Sequence, residues 1–446
     1  MVRRIKHYDG SDRISELPDG ILLHILSYLP TEYSVRTSVI AKRWTHLWKK
    51  VPNLNFHFIL HGDYAKFLDF VDKVLMLRDS SAVHEFRLAY HPSGKDDMSF
   101  VSRFNKWIEA IAKLKPKSVY LHFFQHLRSL QLPIMETLEI LKLRVNLLRG
   151  QTCHLQTGLH HLKILKLERI YFCLGVFSNL PIVEELHLRD CHFGDGSTSN
   201  ISLPSLQILS IQHHSTKNCE IMISAPRLVS FTLNGPNIFV FDGLFSLSKL
   251  VMDDPSTDPI CIDRLSKIIT GTSVNVFFWR CEDVMWKAVV EGLRACVATP
   301  FANLKYLCLP FYRCNCEDYV ESVIYLLQDC PKLEKLVIAG FGVRGPLGEH
   351  GANKCQPTKD PPKFTLSSLR EIEVAYYRKD NTQQGFVIHF HTTNKRHLVL
   401  CGFLLWPDSW YCSILDGQKW HRRCDLLLDG VQVLFQRNFT LHTWNR

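Results

Sequence analysis

Two spacings of apolar residues divide this chain of 446 residues. Between residues 12 and 52 the spacing is helical: Ile21, Leu22, Ile25, Leu26 and Leu29 follow Leu17-Pro18-Asp19 at steps that predict one short helix, which Pro30 ends. A second short helix is expected to begin near Thr31 and to carry Val35 and Val39. A third sets Trp44, Leu47 and Trp48 along one side before Pro52. A unit of about 40 residues buries too little surface to offset its chain entropy alone. Its apolar side chains exceed what three small helices can hide, so the segment needs cover from elsewhere.

Further along, the pattern becomes L-x-x-L-x-L. It recurs as Leu138, Leu141, Leu143; Leu162, Leu165, Leu167; Val183, Leu186, Leu188; Leu206, Leu209, Ile211; Leu228, Phe231, Leu233; and Leu247, Leu250, Met252. The last apolar positions are 24, 21, 23, 22 and 19 residues apart, the period of a leucine-rich-repeat solenoid. Each repeat would give one short parallel strand with two side chains inward and their neighbours on the concave face. Weaker turns precede these at Phe86 and Leu88 and at Val119 and Leu121, with an amphipathic helix between them near Phe100 to Leu114. Longer turns follow, with an amphipathic stretch from Asp283 to Val297, then Leu304, Leu307, Leu309, a helix carrying Val320, Val323, Ile324 and Leu327, and finally Leu333, Leu336, Ile338. Only Asn146 and Cys191 fill the turn position that regular repeats give to Asn or Cys, so an irregular solenoid is expected. The alternative is an alternating α/β sheet of another kind.

LPDGILLHILSYLP followed by SVRTSVIAKRWTHLWKKVPNLNF resembles the F-box of plant F-box/leucine-rich-repeat proteins of the F-box/FBD/LRR family, with mild departures at Tyr33-Ser34 and Ile40-Ala41. FTLSSLREIEVAYYRKD resembles the opening of an FBD segment, and the likeness is lost after Lys379. The resemblance implies a protein that performs no chemistry and needs no cofactor. Its F-box would dock a Skp-family adaptor, and through it a cullin, making the chain the substrate-recognition subunit of an SCF-type ubiquitin ligase that binds a target protein on its repeats. By matching positions, Leu17, Pro18, Leu22, Ile25, Leu26, Leu29, Val39, Trp44, Leu47 and Trp48 would supply the adaptor-facing and internal apolar set.

The expected fold class is α/β: an F-box over 12–52, linking helices and first irregular repeats over 53–130, and the solenoid over 131–340. A Gly/Pro-rich loop over 341–363, a partial FBD-like segment over 364–380 and a divergent tail over 381–446 would follow. The residues flanking the inward pairs begin basic, with Lys142 and Arg144, then Lys166 beside Glu168, then His187 and Arg189. They turn neutral at Ser210, Gln212, Thr232 and Asn234. Such a strip could hold an acidic or phosphorylated target segment, or it is an ordinary solvated face.

Composition narrows the classes that remain. No apolar run reaches the roughly 18 residues of a membrane span, and MVRRIKHYDG lacks the apolar centre of a signal peptide, which points to the nucleus or cytoplasm. Fifteen scattered cysteines without framework spacing then read as reduced thiols. The net charge of +10 is spread along the chain and does not demand nucleic acid. Gly340-Phe-Gly342-Val-Arg-Gly345 fits a phosphate-cradling spacing, yet Pro346 and Gly348 stand where a helix should open. Cys314-Asn-Cys316 has no second pair, so neither motif supports a metal or nucleotide site. Two other functions stay open: a small-molecule receptor, which would need a deep pocket ringed by the basic residues, and a non-degradative protein- or RNA-binding scaffold, which would need one contiguous Lys/Arg stripe with exposed aromatics.

Overall fold

The protein is described here by a computed structural model covering residues 14, 16–58, 63–91, 98–123, 129–145, 152–155, 159–172, 177, 180–193, 199–212, 221–234, 239–243, 246–253, 258–279, 286–311, 325–341, 366, 368–377, 386–391 and 442–443. It is mixed α/β, with short N-terminal helices followed by long parallel sheet. Contacts group the chain into two compact units, Met1–Leu206 with His213–Ser224, and Gln207–Gln212 with Ala225–Arg446.

In the first unit the helices are α1 (Asp19–Ser27), α2 (Thr31–Arg36) and α3 (Trp44–Leu47). Pro18 and Pro30 each precede a helix in extended conformation, and the Pro30 carbonyl accepts from the N–H groups of Tyr33 and Ser34 at 3.0 and 3.1 Å. One proline thus ends α1 and opens α2. The sequence expectation for α2 ran too far, because the helix stops at Arg36 and Val39 falls in a 3-10 turn, Thr37–Val39. Trp48 likewise lies in a 3-10 turn after α3, Trp48–Lys50. Leu22, Leu26, Trp44, Leu47 and Val51 form the core, with Leu17, Leu23, Leu29 and Ala41 packed against it. The Ser34 hydroxyl donates to the Leu26 carbonyl at 3.0 Å and Arg43 Nε donates to Asp19 Oδ1 at 2.9 Å, tying α2 and α3 to α1.

This bundle is joined to the sheet that follows. The N–H of Asn55 donates to the Thr31 hydroxyl at 2.7 Å, and the buried Arg78 donates to the carbonyls of Val51 at 2.7 Å and Ser81 at 3.2 Å. The first unit's sheet runs through β1 (Asn53–His57), β2 (Glu85–Tyr90), β3 (Ser118–Phe123), β4 (Ile140–Val145), β5 (Ile164–Glu168) and β6 (Glu185–Arg189), each parallel to the next. Helices α4 (Tyr64–Leu77) and α5 (Met98–Lys113) return the chain between β1, β2 and β3. Their facing sides are pinned by Asp72, which accepts from Arg103 Nη1 at 2.8 Å and from Trp107 Nε1 at 2.5 Å.

One device repeats at every strand start in this sheet: a single carbonyl accepts two N–H groups of the next repeat. Pro52 receives His84 and Glu85, His84 receives Lys117 and Ser118, Lys117 receives Glu139 and Ile140, Glu139 receives Lys163 and Ile164, and Lys163 receives Glu184 and Glu185. That fixes the register, so the alternating residues fall into rows across the sheet. The inward residues Phe86, Leu88, Val119, Leu121, Leu141, Leu143, Leu165, Leu167, Leu186 and Leu188 are all buried. After β5 and β6 the chain turns through Arg169 and Asp190 at positive φ, 60 and 50 degrees, a conformation that costs a non-glycine residue of order 1 kcal/mol. Cys191 supports that turn: its thiol, which burial keeps protonated by raising its pKa to about 12, donates to the carbonyls of Leu167 and Arg189 at 3.3 Å.

The second unit continues the same logic with β7 (Ile208–Gln212), β8 (Ser230–Asn234), β9 (Lys249–Asp253), β10 (Val276–Trp279), β11 (Tyr306–Phe311), β12 (Lys335–Phe341) and β13 (Glu371–Tyr377), parallel in that order. Two antiparallel strands, β14 (Phe386–His391) and β15 (His442–Thr443), follow. Helix α7 (Trp286–Cys296) lies where the amphipathic stretch predicts it, whereas α6 (Pro259–Thr270) is a helix the sequence reading did not foresee. Asp258 caps it and Pro259 opens it, and Ile262, Leu265, Ile268 and Ile269 bury one face. The expected helix bearing Val320, Val323 and Ile324, the loop beyond Phe341 and Cys314 and Cys316 lie outside the described residues. The first glycine of the G-x-G-x-x-G stretch, Gly340, is in strand β12, in register with Phe311.

Arg78 provides a direct test of the joint between bundle and sheet. Replacing it with Met removes both carbonyl bonds at a buried position and should lower unfolding free energy by about 1–3 kcal/mol, read as a lower urea midpoint at unchanged slope.

Candidate functional site

Helix α1 is apolar on two sides. Leu22 and Leu26 point into the core, while Ile21, Ile25 and Tyr28 are exposed at i, i+4 and i+7. Ile25 is 41%, Tyr28 76%, Ile40 60% and Val39 87% exposed, and Tyr33 lies open as well. The structure therefore sorts the ten residues the sequence singled out. Leu22, Leu26, Trp44, Leu47 and Trp48 are buried, Leu17 and Leu29 are half-buried, and Pro18, Ile25 and Val39 are open to solvent. Ile21, Tyr28, Tyr33 and Ile40 join the exposed set without having been among the ten. Their signal was an excess of apolar residues, which a helical period cannot apportion between core and surface.

The open face of the first unit's sheet carries the second candidate surface. Register places Asn55, Arg87, Tyr120, Lys142, Lys166 and His187 in one row, and His57, Ala89, His122, Arg144, Glu168 and Arg189 in the next. All six charged or titratable residues of this unit named from sequence thus lie in two adjacent rows. They are less cationic than their composition suggests. Arg144 Nε pairs with Glu168 Oε1 at 2.9 Å. His187 is held below its ordinary pKa by burial first and by Lys166 next, against the opposing pull of Glu185, 3.4 Å away. Arg87 and Tyr120 extend the row toward the N-terminal end: Tyr120 has the Arg87 guanidinium 4.4 Å and the Lys142 ammonium 4.5 Å from its ring centre. Gln212 and Asn234 belong to the second unit, where they are half-buried register partners on β7 and β8. Among the described residues no group of His, Cys, Asp or Glu could hold a metal ion, and no helix is long and apolar enough to cross a membrane.

Comparison with known proteins bears on both parts of the chain. Residues 14–56 match the family profile described as F-box domain. Over most of its length the chain resembles Arabidopsis thaliana proteins named for an F-box and leucine-rich repeats. F-box/FBD/LRR-repeat protein At5g22700 is 26% identical, covering 81% of this chain and 85% of its own. F-box/LRR-repeat protein 13 is 26% identical, covering 89% and 91%, and F-box/LRR-repeat protein At4g14103 is 28% identical, covering 74% and 92%. The chain is thus similar, over most of its length, to plant proteins named for an F-box and leucine-rich repeats. The three helices lie within the F-box match, the long parallel sheet is consistent with a leucine-rich-repeat array, and the names of the similar proteins support a substrate-recognition role.

His122, in the second row, makes the sheet face sensitive to acid. His122 lies edge-on to His91 at 4.1 Å, and burial, then His91, Arg144, His57 and Arg169, bring its pKa down from 6.5 to about 4. The folded state thus keeps this ring neutral where the unfolded chain would protonate it. Its contribution to stability is complete above pH 6.5 and is lost as pH falls from 6.5 toward 4. The melting temperature of the wild type should therefore fall over that interval, and His122→Gln should fall less steeply. Equal slopes for the two proteins would assign the acid sensitivity elsewhere.

Proposed function

We propose that this F-box/leucine-rich-repeat protein is the non-catalytic substrate receptor of an SCF-type cullin–RING ubiquitin ligase. The observation that carries this reading is the exposed apolar stripe on an F-box whose core is already filled: Ile21, Ile25 and Tyr28 on α1, with Val39 and Ile40 beyond α2. F-box domains generally bind Skp-family adaptors, and an exposed row of large apolar side chains along a short helix is the surface such an adaptor would cover. In this assignment residues 12–52 are the adaptor handle and 131–340 carry the surface that meets a target protein, in the nucleus or cytoplasm.

The division of the F-box residues into two sets makes the reading testable. Pull-down with a Skp-family adaptor should fail for Ile25→Asp and for Val39→Asp with Ile40→Asp, while their melting temperatures stay within a few degrees of wild type. Leu17→Ala with Pro18→Ala should weaken recovery more mildly, since one is half-buried and the other lies at the rim. Leu26→Ala should instead cost about 2–5 kcal/mol of stability, because it leaves a cavity in the small core. Full recovery of adaptor by the folded Asp variants would sink the proposal.

A further inference from the structure

Lys142 and Lys166 face each other directly across β4 and β5, at the strand spacing of about 4.8 Å, and His187 follows in the same row on β6. Like charges directly opposite one another destabilise a sheet. Among the described residues no carboxylate pairs with either lysine, while Arg87 and Arg144 beside them are paired. Arg87 donates to both Glu85 oxygens at 2.6 and 3.0 Å, Arg144 pairs with Glu168, and Arg189 stands in register with the same Glu168. The sheet therefore carries a cationic site without a carboxylate partner at one defined place, bounded by Tyr120 on one side and by the His187 ring on the other.

From this arrangement we propose that the Arg87–Tyr120–Lys142–Lys166–His187 row receives an extended segment of the target polypeptide bearing Asp or Glu side chains, with carboxylates seated over Lys142 and Lys166. The choice of carboxylate follows from the donors that remain. The Arg87 and Arg144 guanidinium forks, suited to bidentate capture of a phosphate, lie beside Glu85 and Glu168, which leaves the compact ammonium groups of Lys142 and Lys166 as separate point charges in the row. These fit single carboxylates spaced along a strand, and Tyr120 offers the segment an apolar face between two cations. The inference rests on the chain being a substrate receptor, but its test does not use the F-box.

The test is fluorescence anisotropy on the full chain alone. The probes are a labelled twelve-residue peptide alternating Glu with Gly, its Gln counterpart, a peptide with a single phosphoserine, and a single-stranded RNA of equal length. The Glu peptide should bind, weaken as salt rises, and lose at least tenfold in affinity in Lys142→Gln with Lys166→Gln. Lys142→Arg with Lys166→Arg should retain most of it, and Lys163→Gln, in the turn before β5, should leave it unchanged. Lys166→Gln alone should melt no lower than wild type, since it relieves a repulsion. The proposal is overturned if the double Gln variant binds the Glu peptide as wild type does, if the Gln peptide binds equally, or if the phosphoserine peptide or the RNA binds more tightly than the Glu peptide. Loss of adaptor binding by the F-box variants would leave this result standing, so the two readings fail separately.

Discussion

No layer of this molecule can bury its own apolar residues, and every other feature depends on that constraint. A strand of five or six residues offers two inward side chains, and each is worth about 1.5–3 kcal/mol only when a neighbouring strand and its loop remove it from water. The carbonyl that accepts two N–H groups at each strand start, from Pro52 to Lys163 in the first unit and again from Gln207 to Lys305 in the second, makes this stacking specific. It sets one register for every layer, so that Leu141 meets Leu165 and Leu165 meets Leu186. A slip of one residue anywhere would turn an inward leucine to solvent and a lysine into the core.

The same register creates the surface chemistry. Because the layers are parallel and aligned, the residue between the two inward positions of each repeat always falls in one row, and its identity is free of the packing requirement. Tyr120, Lys142, Lys166 and His187 share that position in four successive strands. The apolar frame can therefore stay constant while the row changes. An F-box at one end and a variable row on the sheet are compatible in one chain for this reason: the two use different residues of the same fold.

Much of this was legible in the sequence because the repeat marks itself twice, by residue type and by spacing. Leu206, Leu209, Ile211, Leu228, Phe231 and Leu233 are buried as the motif implies, and α7 lies within its amphipathic stretch. Helix α6 escaped because it replaces a loop between two repeats, where the strand period gives no reason to look for a helix. The pairings on the sheet face were not legible for a different reason. Reading Lys and Arg along a chain does not reveal that Arg144 closes on Glu168 one strand away, or that burial, with Lys166 next to it, holds His187 below its ordinary pKa. The row itself needed register, which is why Arg87 and Tyr120, in the weaker first repeats, were not connected with Lys142.

The small size of the F-box helices suggested that a bound partner was needed for their stability. The structure separates that need from the exposed stripe. Val51 and Pro52 run straight into β1, Thr31 holds the backbone of Asn55, and Arg78 returns from the end of α4 to the Val51 carbonyl, so the first strands of the repeat array already supply the missing support. Ile21, Ile25, Tyr28, Val39 and Ile40 contribute nothing to that joint. Keeping five large apolar side chains in water gains the folded monomer nothing and raises its tendency to associate. The proposed adaptor contact would cover them, and the joint to β1 would carry the position of that contact rigidly into the first layers of the sheet, because hydrogen-bonded backbone rather than a flexible linker connects the two.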